Sequence, residues 1–286
     1  MLKRSFLLFF ILALGIFSAL VWQANFSLAD DSELKVHFFD IGQGDAIFIV
    51  SPNGNQILVD GGPSNKILSK LSEVMPFWDR SIDLVVLSHP HADHVSGLID
   101  VLDRYDVAMI LESGVAYDTG EYKEWRKAAE KEQAQRIISR AGQVFGIGQD
   151  FSLEVLAPFE PFDQKSISNA HDANVVLMLR HGDTEVLLMG DAERDLEFDL
   201  LRNYNLDSDV LKVGHHGSKT SSFEDFLQRV SPEVVVVQVG RGNRYGHPHP
   251  EVMERFNNLK IPVLRTDIDG DLILRSDLRS YSLRRQ

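Results

Sequence analysis

The sequence predicts a layered α/β fold. Three observations carry that expectation. Short apolar runs that read as strands alternate with mixed stretches that read as helices. Four of the runs end in Asp or His, three of them beside glycine, as strands do when their ends converge on one place. No segment repeats at the period of a solenoid.

The elements follow in order. Met1-Leu2-Lys3-Arg4 is basic, and Phe6 to Trp22 is an apolar run without charge. That pattern predicts a single-pass membrane anchor over residues 1–30 with its basic end in the cytoplasm. The alternative is a signal peptide cleaved near Ser27-Leu28-Ala29, which would leave a secreted protein. Either way the domain over 31–286 is expected outside the cytoplasmic membrane. Strands are expected at Leu34–Phe39 and Ala46–Ser51, with Asn53-Gly54-Asn55 turning into Gln56–Val59. A helix over Asn65–Met75, a buried strand over Ile82–Leu87 and a helix over Ser96–Tyr105 come next. The strand Val107–Glu112 leads to a helix over Glu121–Arg140, apolar at Trp125, Ala128, Ala129, Ile137 and Ile138. Strands at Gln143–Phe145, Leu153–Ala157 and Val175–Leu179 precede the turn His181-Gly182-Asp183, where His181 is expected to face solvent. The strands Val186–Met189 and Val210–Val213 are followed by helices over Ala192–Asn203 and Ser222–Val230. Val234–Val239 reads as a strand buried on both faces, and His249–Leu259 as a helix.

Composition narrows the chemistry. The 286 residues are 44% hydrophobic, enough for one domain of ~250 residues with a full core. Cysteine is absent, so there are no disulfides or thiolate ligands. The formal net charge is -13, and a chain that grips nucleic acid along its surface would carry a basic stripe. The cations of Lys123 to Arg140 are interleaved with glutamates. The basic tail Arg275 to Arg285 reads as a solvated end or a membrane-surface contact.

One stretch carries most of the information: Ser88-His89-Pro90-His91-Ala92-Asp93-His94, directly after a predicted buried strand. Three imidazoles and a carboxylate on one turn suit Zn²⁺, Mn²⁺ or Fe. A solvated His-rich tract is the plain alternative, but such tracts are terminal and have no strand before them. Gly190-Asp191, Gly214-His215-His216-Gly217-Ser218 and Asp60-Gly61-Gly62 end further strands. Asp60 alone would be an ordinary turn residue.

These motifs resemble the metallo-β-lactamase fold hydrolases, whose H-x-H-x-D-H loop is matched by His89, His91, Asp93 and His94. Phe38-Phe39-Asp40-Ile41-Gly42-Gln43-Gly44-Asp45-Ala46, the block Lys212 to Ser218 and Asn243-Arg244-Tyr245-Gly246-His247-Pro248 resemble the hydrolase domain of the competence protein ComEC and its free-standing relatives. The resemblance implies a four-layer αββα sandwich holding two divalent ions, Zn²⁺ or Mn²⁺. It places His89 and His91 on the first ion, Asp93, His94 and His215 on the second, and Asp191 between them. Asp60 would orient a histidine from behind. Asp93 and Asp191 would serve catalysis. Ser218 and Lys219 would contact substrate, and His247 would touch a phosphate, protonate a leaving group or only shape its turn. One departure matters: relatives with a complete first site have a further histidine before the bridging Asp. Here that stretch reads Ser168-Asn169-Ala170-His171, and His171 is either that ligand or a loop residue. Without it, the first ion would be held less tightly.

The function so implied is hydrolysis of an anionic phosphodiester, nucleic acid included, by metal-activated hydroxide, with the membrane as the anchor's partner and no obligate protein partner. A lactone or β-lactam-type acyl hydrolase and a non-catalytic metal-binding surface module are the alternatives.

Overall fold

The computed structural model describes residues 10, 11, 13–16, 18, 33–146, 150–167 and 169–286. The chain divides into two compact units, Met1–Glu33 and Leu34–Gln286. In the first, residues 10, 11, 13–16 and 18 are helical and exposed. Most of the expected anchor, Phe6 to Trp22, lies outside the described residues. Among those described, no helix is long and apolar enough to cross a membrane.

The second unit is built on two sheets. The first has eight strands in the order β15-β14-β1-β2-β3-β4-β5-β6. These are β1 (Leu34–Phe38), β2 (Ile47–Val50), β3 (Gln56–Val59), β4 (Ser81–Leu87), β5 (Asp106–Glu112), β6 (Gln135–Ile138), β14 (Leu272–Ser276) and β15 (Tyr281–Arg285). The second has seven, in the order β13-β12-β11-β10-β9-β8-β7. Its strands are β7 (Val144–Gly146), β8 (Phe151–Ala157), β9 (Val176–His181), β10 (Thr184–Leu188), β11 (Val210–Lys212), β12 (Val234–Val237) and β13 (Val263–Arg265). Each sheet is antiparallel on one side and parallel on the other. In the first sheet β3, β4, β5 and β6 run parallel, and in the second β10, β11, β12 and β13 do.

Alternation along the strands explains why two sheets need covers on both faces. Leu84 and Val86 of β4 enter the core between the sheets, while Val85 and Leu87 face the other way. That second face is covered by α1 (Lys66–Val74), α2 (Ala92–Leu102) and α3 (Gly120–Lys131), through residues such as Leu71, Leu98 and Trp125. The outer face of the other sheet is covered by α4 (Arg194–Asn203), α5 (Glu224–Val230) and α6 (Pro250–Asn258), through Leu200, Phe226 and Phe256. The result is the αββα sandwich, with a last short helix, α7 (Thr266–Asp269), before the terminal hairpin β14–β15.

Several expectations are corrected. The helix expected over Glu121–Arg140 stops at Lys131, and Gln135–Ile138 forms the edge strand β6 beside β5. The β-branched pair Ile137-Ile138 prefers that half-buried pleated edge to a helix face. The helix expected at Ser96–Tyr105 begins earlier, at Ala92, with His91 at its N-cap. The basic tail is β15, paired with β14 from Leu272↔Arg285 to Ser276↔Tyr281. His181 does not face solvent: it is buried, with Nδ1 3.0 Å from the Ser276 hydroxyl.

Candidate metal centre

The chemistry-bearing residues gather where the parallel strands of both sheets end, the usual place for a site in layered α/β folds. Beyond β3, Asp60 takes a left-handed conformation (φ 59°), and its carboxylate turns back across β4. It accepts the Ser88 amide at 2.8 Å and the Ser88 hydroxyl at 2.6 Å, which pins the loop that starts there. Beyond β4, His89 and His91 leave an extended loop, and Asp93 and His94 occupy the first turn of α2. Gly44 makes this possible from a neighbouring loop. A Cβ on Gly44 would stand 2.0 Å from the Asp93 carbonyl oxygen, so the backbone can approach only without a side chain.

From the second sheet, β10 delivers Asp191. Asn174 holds that turn, accepting the Asp191 amide at 2.9 Å and donating to the Met189 carbonyl at 2.8 Å. β11 ends at Lys212, and the next turn bends sharply: His215 and His216 both have left-handed backbones (φ 47° and 53°). A continuing strand would send one of the pair away. The bend instead brings both imidazoles to the site.

Two donor groups built around Asp191 result among the described residues. The first contains His89, His91, His171 and Asp191. His89 Nε2 lies 3.0 Å from His91 Nδ1 and 3.6 Å from Asp191 Oδ2, and His171 Nε2 lies 3.2 Å from His91 Nδ1. The second contains Asp45, His94, Asp191 and His216. His94 Nε2 and His216 Nε2 lie 3.3 and 3.6 Å from Asp191 Oδ1, and Asp93 reaches His216 Nε2 at 3.4 Å. Asp191 belongs to both.

The residues fit divalent ions by their unmet polarity. Asp45 Oδ1, Asp191 Oδ1, His94 Nε2 and His216 Nε2 are buried without a hydrogen-bond partner. Buried polar atoms without partners are costly, and a cation beside Asp191 Oδ1 would satisfy that oxygen together with His94 Nε2 and His216 Nε2. The electrostatics agree. Burial opposes charge on His94, yet the Asp191 and Asp60 carboxylates hold its pKa well above the ordinary histidine value. Burial likewise opposes charge on His216, but Asp191 and Asp45 raise it to about 10. Burial would raise Asp191, and the imidazoles of His216, His94 and His89 hold it well below the usual carboxylate range. The pocket calls for positive charge among its carboxylates. Behind it, the fully buried Lys212 ammonium donates to Asp45 and, at 3.1 Å, to the Gly190 carbonyl.

The structure brings together His89, His91, Asp93, His94 and Asp191, and it places His171 beside His91. Asp60 stands behind His94, at 2.8 Å from its Nδ1. The difference is at the histidine pair: the ring beside His94 and Asp191 Oδ1 is His216. His215 instead points Nδ1 at Glu193 (3.2 Å), with Nε2 3.8 Å from Asp191 Oδ2. Asp45, Glu193 and His216 were not singled out by the sequence, although Gly44-Asp45 is another glycine-flanked acid beyond a strand. His247 lines the ≈ 330 Å³ cleft together with Tyr245 and Gln43. Burial and the neighbouring rings of His215 and His216 push its pKa down to about 4, so it is neutral at pH 7. Ser218 does not line this cleft: it is buried, its hydroxyl 2.9 Å from Thr220. Lys219 is exposed and lines an adjoining hollow.

Two sheets between helices, with His and Asp converging at the strand ends, define a metal-dependent hydrolase. The chain belongs to the metallo-beta-lactamase superfamily, whose sequence model matches residues 39–241. It is 32% identical to ComE operon protein 3 of Bacillus subtilis over 260 residues, 84% of this chain and 33% of that protein. It is 33% identical to Recombination protein 2 of Haemophilus influenzae over 243 residues, 83% of this chain and 28% of that one. The chain therefore spans about a third of the length of these relatives. Among solved structures, the metallo-beta-lactamase fold protein YhfI of Bacillus subtilis matches with a TM-score of 0.57 at 15% identity, covering 85% of this chain and 99% of that one, a likeness of fold.

Proposed function

We propose that this chain hydrolyses phosphodiesters, nucleic acid among them, at two divalent ions of Zn²⁺ or Mn²⁺ type, on the outer side of the cytoplasmic membrane. The observation that carries the reading is Asp191, a buried carboxylate common to both donor groups. A carboxylate common to both groups would let Asp191 serve two ions, which together would supply the charge that in-line displacement at phosphorus needs. Bound there, the ions would supply Lewis-acid charge for the phosphoryl oxygens and lower the pKa of a water. The chain's own groups do the rest. Asp60 and Ser88 fix the histidine loop, Asp93 stands beside His216 Nε2 on the side that faces Asp191, and the neutral His247 ring offers an N–H to a substrate oxygen at the mouth. Recombination in the name of one relative supports nucleic acid as the diester. The basic and then apolar N-terminus supports the outward location.

The test is turnover of a bis-nitrophenyl phosphate diester and of single-stranded DNA, each with added Mn²⁺ or Zn²⁺, beside a panel of lactones and β-lactams. Diester cleavage that disappears in Asp191→Asn is the expected result. Lactone turnover with no diester cleavage under either metal would replace this reading with the acyl-hydrolase one. No turnover of either class, with metal bound, would favour a non-catalytic module.

A further inference from the structure

The cleft wall formed by His171, Glu193 and His215 holds more ligand atoms than the two donor groups use. Each of the three residues offers one such atom, all within 4.8 Å of one another. His215 Nδ1 lies 3.2 Å and His171 Nδ1 3.4 Å from the same oxygen, Glu193 Oε1. The Thr220 hydroxyl already donates to that oxygen at 2.8 Å. Were both rings to donate as well, one carboxylate oxygen would take three donors on two lone pairs. A cation between the two nitrogens and the oxygen relieves this, because each Nδ1 then presents a lone pair and Thr220 alone donates.

The spacing agrees: ligand atoms ~2.0–2.1 Å from a tetrahedral ion stand roughly 3.4 Å apart. Two His and a Glu form an open zinc-type set. The adjoining hollow of ≈ 360 Å³ is lined by the carboxylates of Asp172 and Asp195. Of its cations, Arg194 lies over the rings of Phe223 and Phe198, 4.5 and 5.3 Å from their centroids, and Lys219 is exposed.

We propose that His171, Glu193 and His215 form an auxiliary divalent-cation site that competes with the main centre for His171. A neutral imidazole has one lone pair to give. His171 turns Nε2 toward His91 and Asp191, at 3.2 and 3.9 Å, or gives its lone pair through Nδ1 beside Glu193. Filling the auxiliary site therefore withdraws His171 from the first donor group and leaves His89, His91 and Asp191 there. The site is independent of which bond the cleft hydrolyses.

The experiment starts from the full chain carrying its tightly held metal and adds further Zn²⁺ by calorimetric titration. The wild type takes up one additional, weaker equivalent. Glu193→Gln and His215→Ala each weaken that step at least ~10-fold while the tightly held metal is retained, since only the auxiliary set loses a ligand. Glu193→Gln keeps the shape of the side chain and an acceptor for Thr220, and thermal melting of both variants checks their folding. Absence of a further equivalent in the wild type would overturn the proposal. So would an unchanged weak step in both variants, or loss of tightly held metal from His215→Ala with Glu193→Gln unaffected.

Discussion

Asp60 Oδ2 lies 2.8 Å from Nδ1 of His94, and the opposite nitrogen of that ring faces Asp191 at 3.3 Å. A carboxylate behind a ligand imidazole fixes the tautomer, leaving Nε2 free to bind, and raises its basicity. Asp60→Asn should therefore weaken binding at the second group about 10- to 100-fold. Metal-affinity titration measures it, and unchanged affinity would show that Asp60 serves the turn alone.

The buried pair behind the site yields a stability prediction. Lys212 and Asp45 have almost no exposure, and removing one partner strands the other. Lys212→Met should destabilise the metal-free protein by roughly 3–5 kcal/mol in urea unfolding. Lys212→Met combined with Asp45→Leu should recover much of that loss, because the stranded charge is gone. A double variant no more stable than the single one would mean that the lysine acts by some other route.

The bend after β11 sets the two neighbouring histidines against different partners. His216 Nε2 lies 3.6 Å from Asp191 Oδ1 inside the second group, whereas His215 faces Glu193. His216→Ala should cost more activity and more tightly bound metal than His215→Ala. Elemental analysis beside turnover compares them directly.

Loss of the shared carboxylate should be the most damaging change to catalysis. Asp191→Asn is expected to lower kcat by at least ~100-fold, the scale on which preorganised charge stabilisation acts. A decrease of only a few-fold would remove Asp191 from its central place.

Glu197 gives the stability a pH dependence unrelated to the metal groups. Burial pushes its carboxyl up to about 7, partly offset by the amides of Phe223 and Ser222 that it accepts. The folded value is above the unfolded one, so the folded state keeps a proton that the unfolded chain releases. Stability from this group is present below about 4.5 and is lost as pH rises through about 7. The full effect is of order 3 kcal/mol. Urea unfolding at pH 5 and pH 8 should show a smaller difference in Glu197→Gln than in the wild type.

The layering could be read from the chain because Leu84–Leu87, Val186–Leu188 and Val234–Val237 are unbroken apolar runs, which a sheet covered on both faces accommodates. His89, His91, Asp93 and His94 were legible because they share one turn. Less legible was whatever depends on backbone bending or on distant chain. Choosing between His215 and His216 requires the left-handed turn, which a Gly-His-His-Gly string does not specify. Asp45 takes its meaning from Lys212, 167 residues away. The end of α3 was missed because Trp125, Ala128 and Ala129 set a helical period that Ile137 and Ile138 happen to extend. The terminal hairpin was missed because an edge strand that ends in Arg284-Arg285 resembles a solvated tail.

Each donor group is split between the two halves of the sandwich. His89 and His91 hang from the first sheet and His171 and Asp191 belong to the second half; Asp45 and His94 face Asp191 and His216 in the same way. A bound metal would thus be a clasp between halves, since neither half carries a complete set. Its binding free energy adds to their docking, by about 2.7 kcal/mol at a free-ion concentration 100 times Kd. Chelation would then act mechanically as well as chemically: it would loosen the seam between the sheets while each sheet keeps its own ladder of hydrogen bonds.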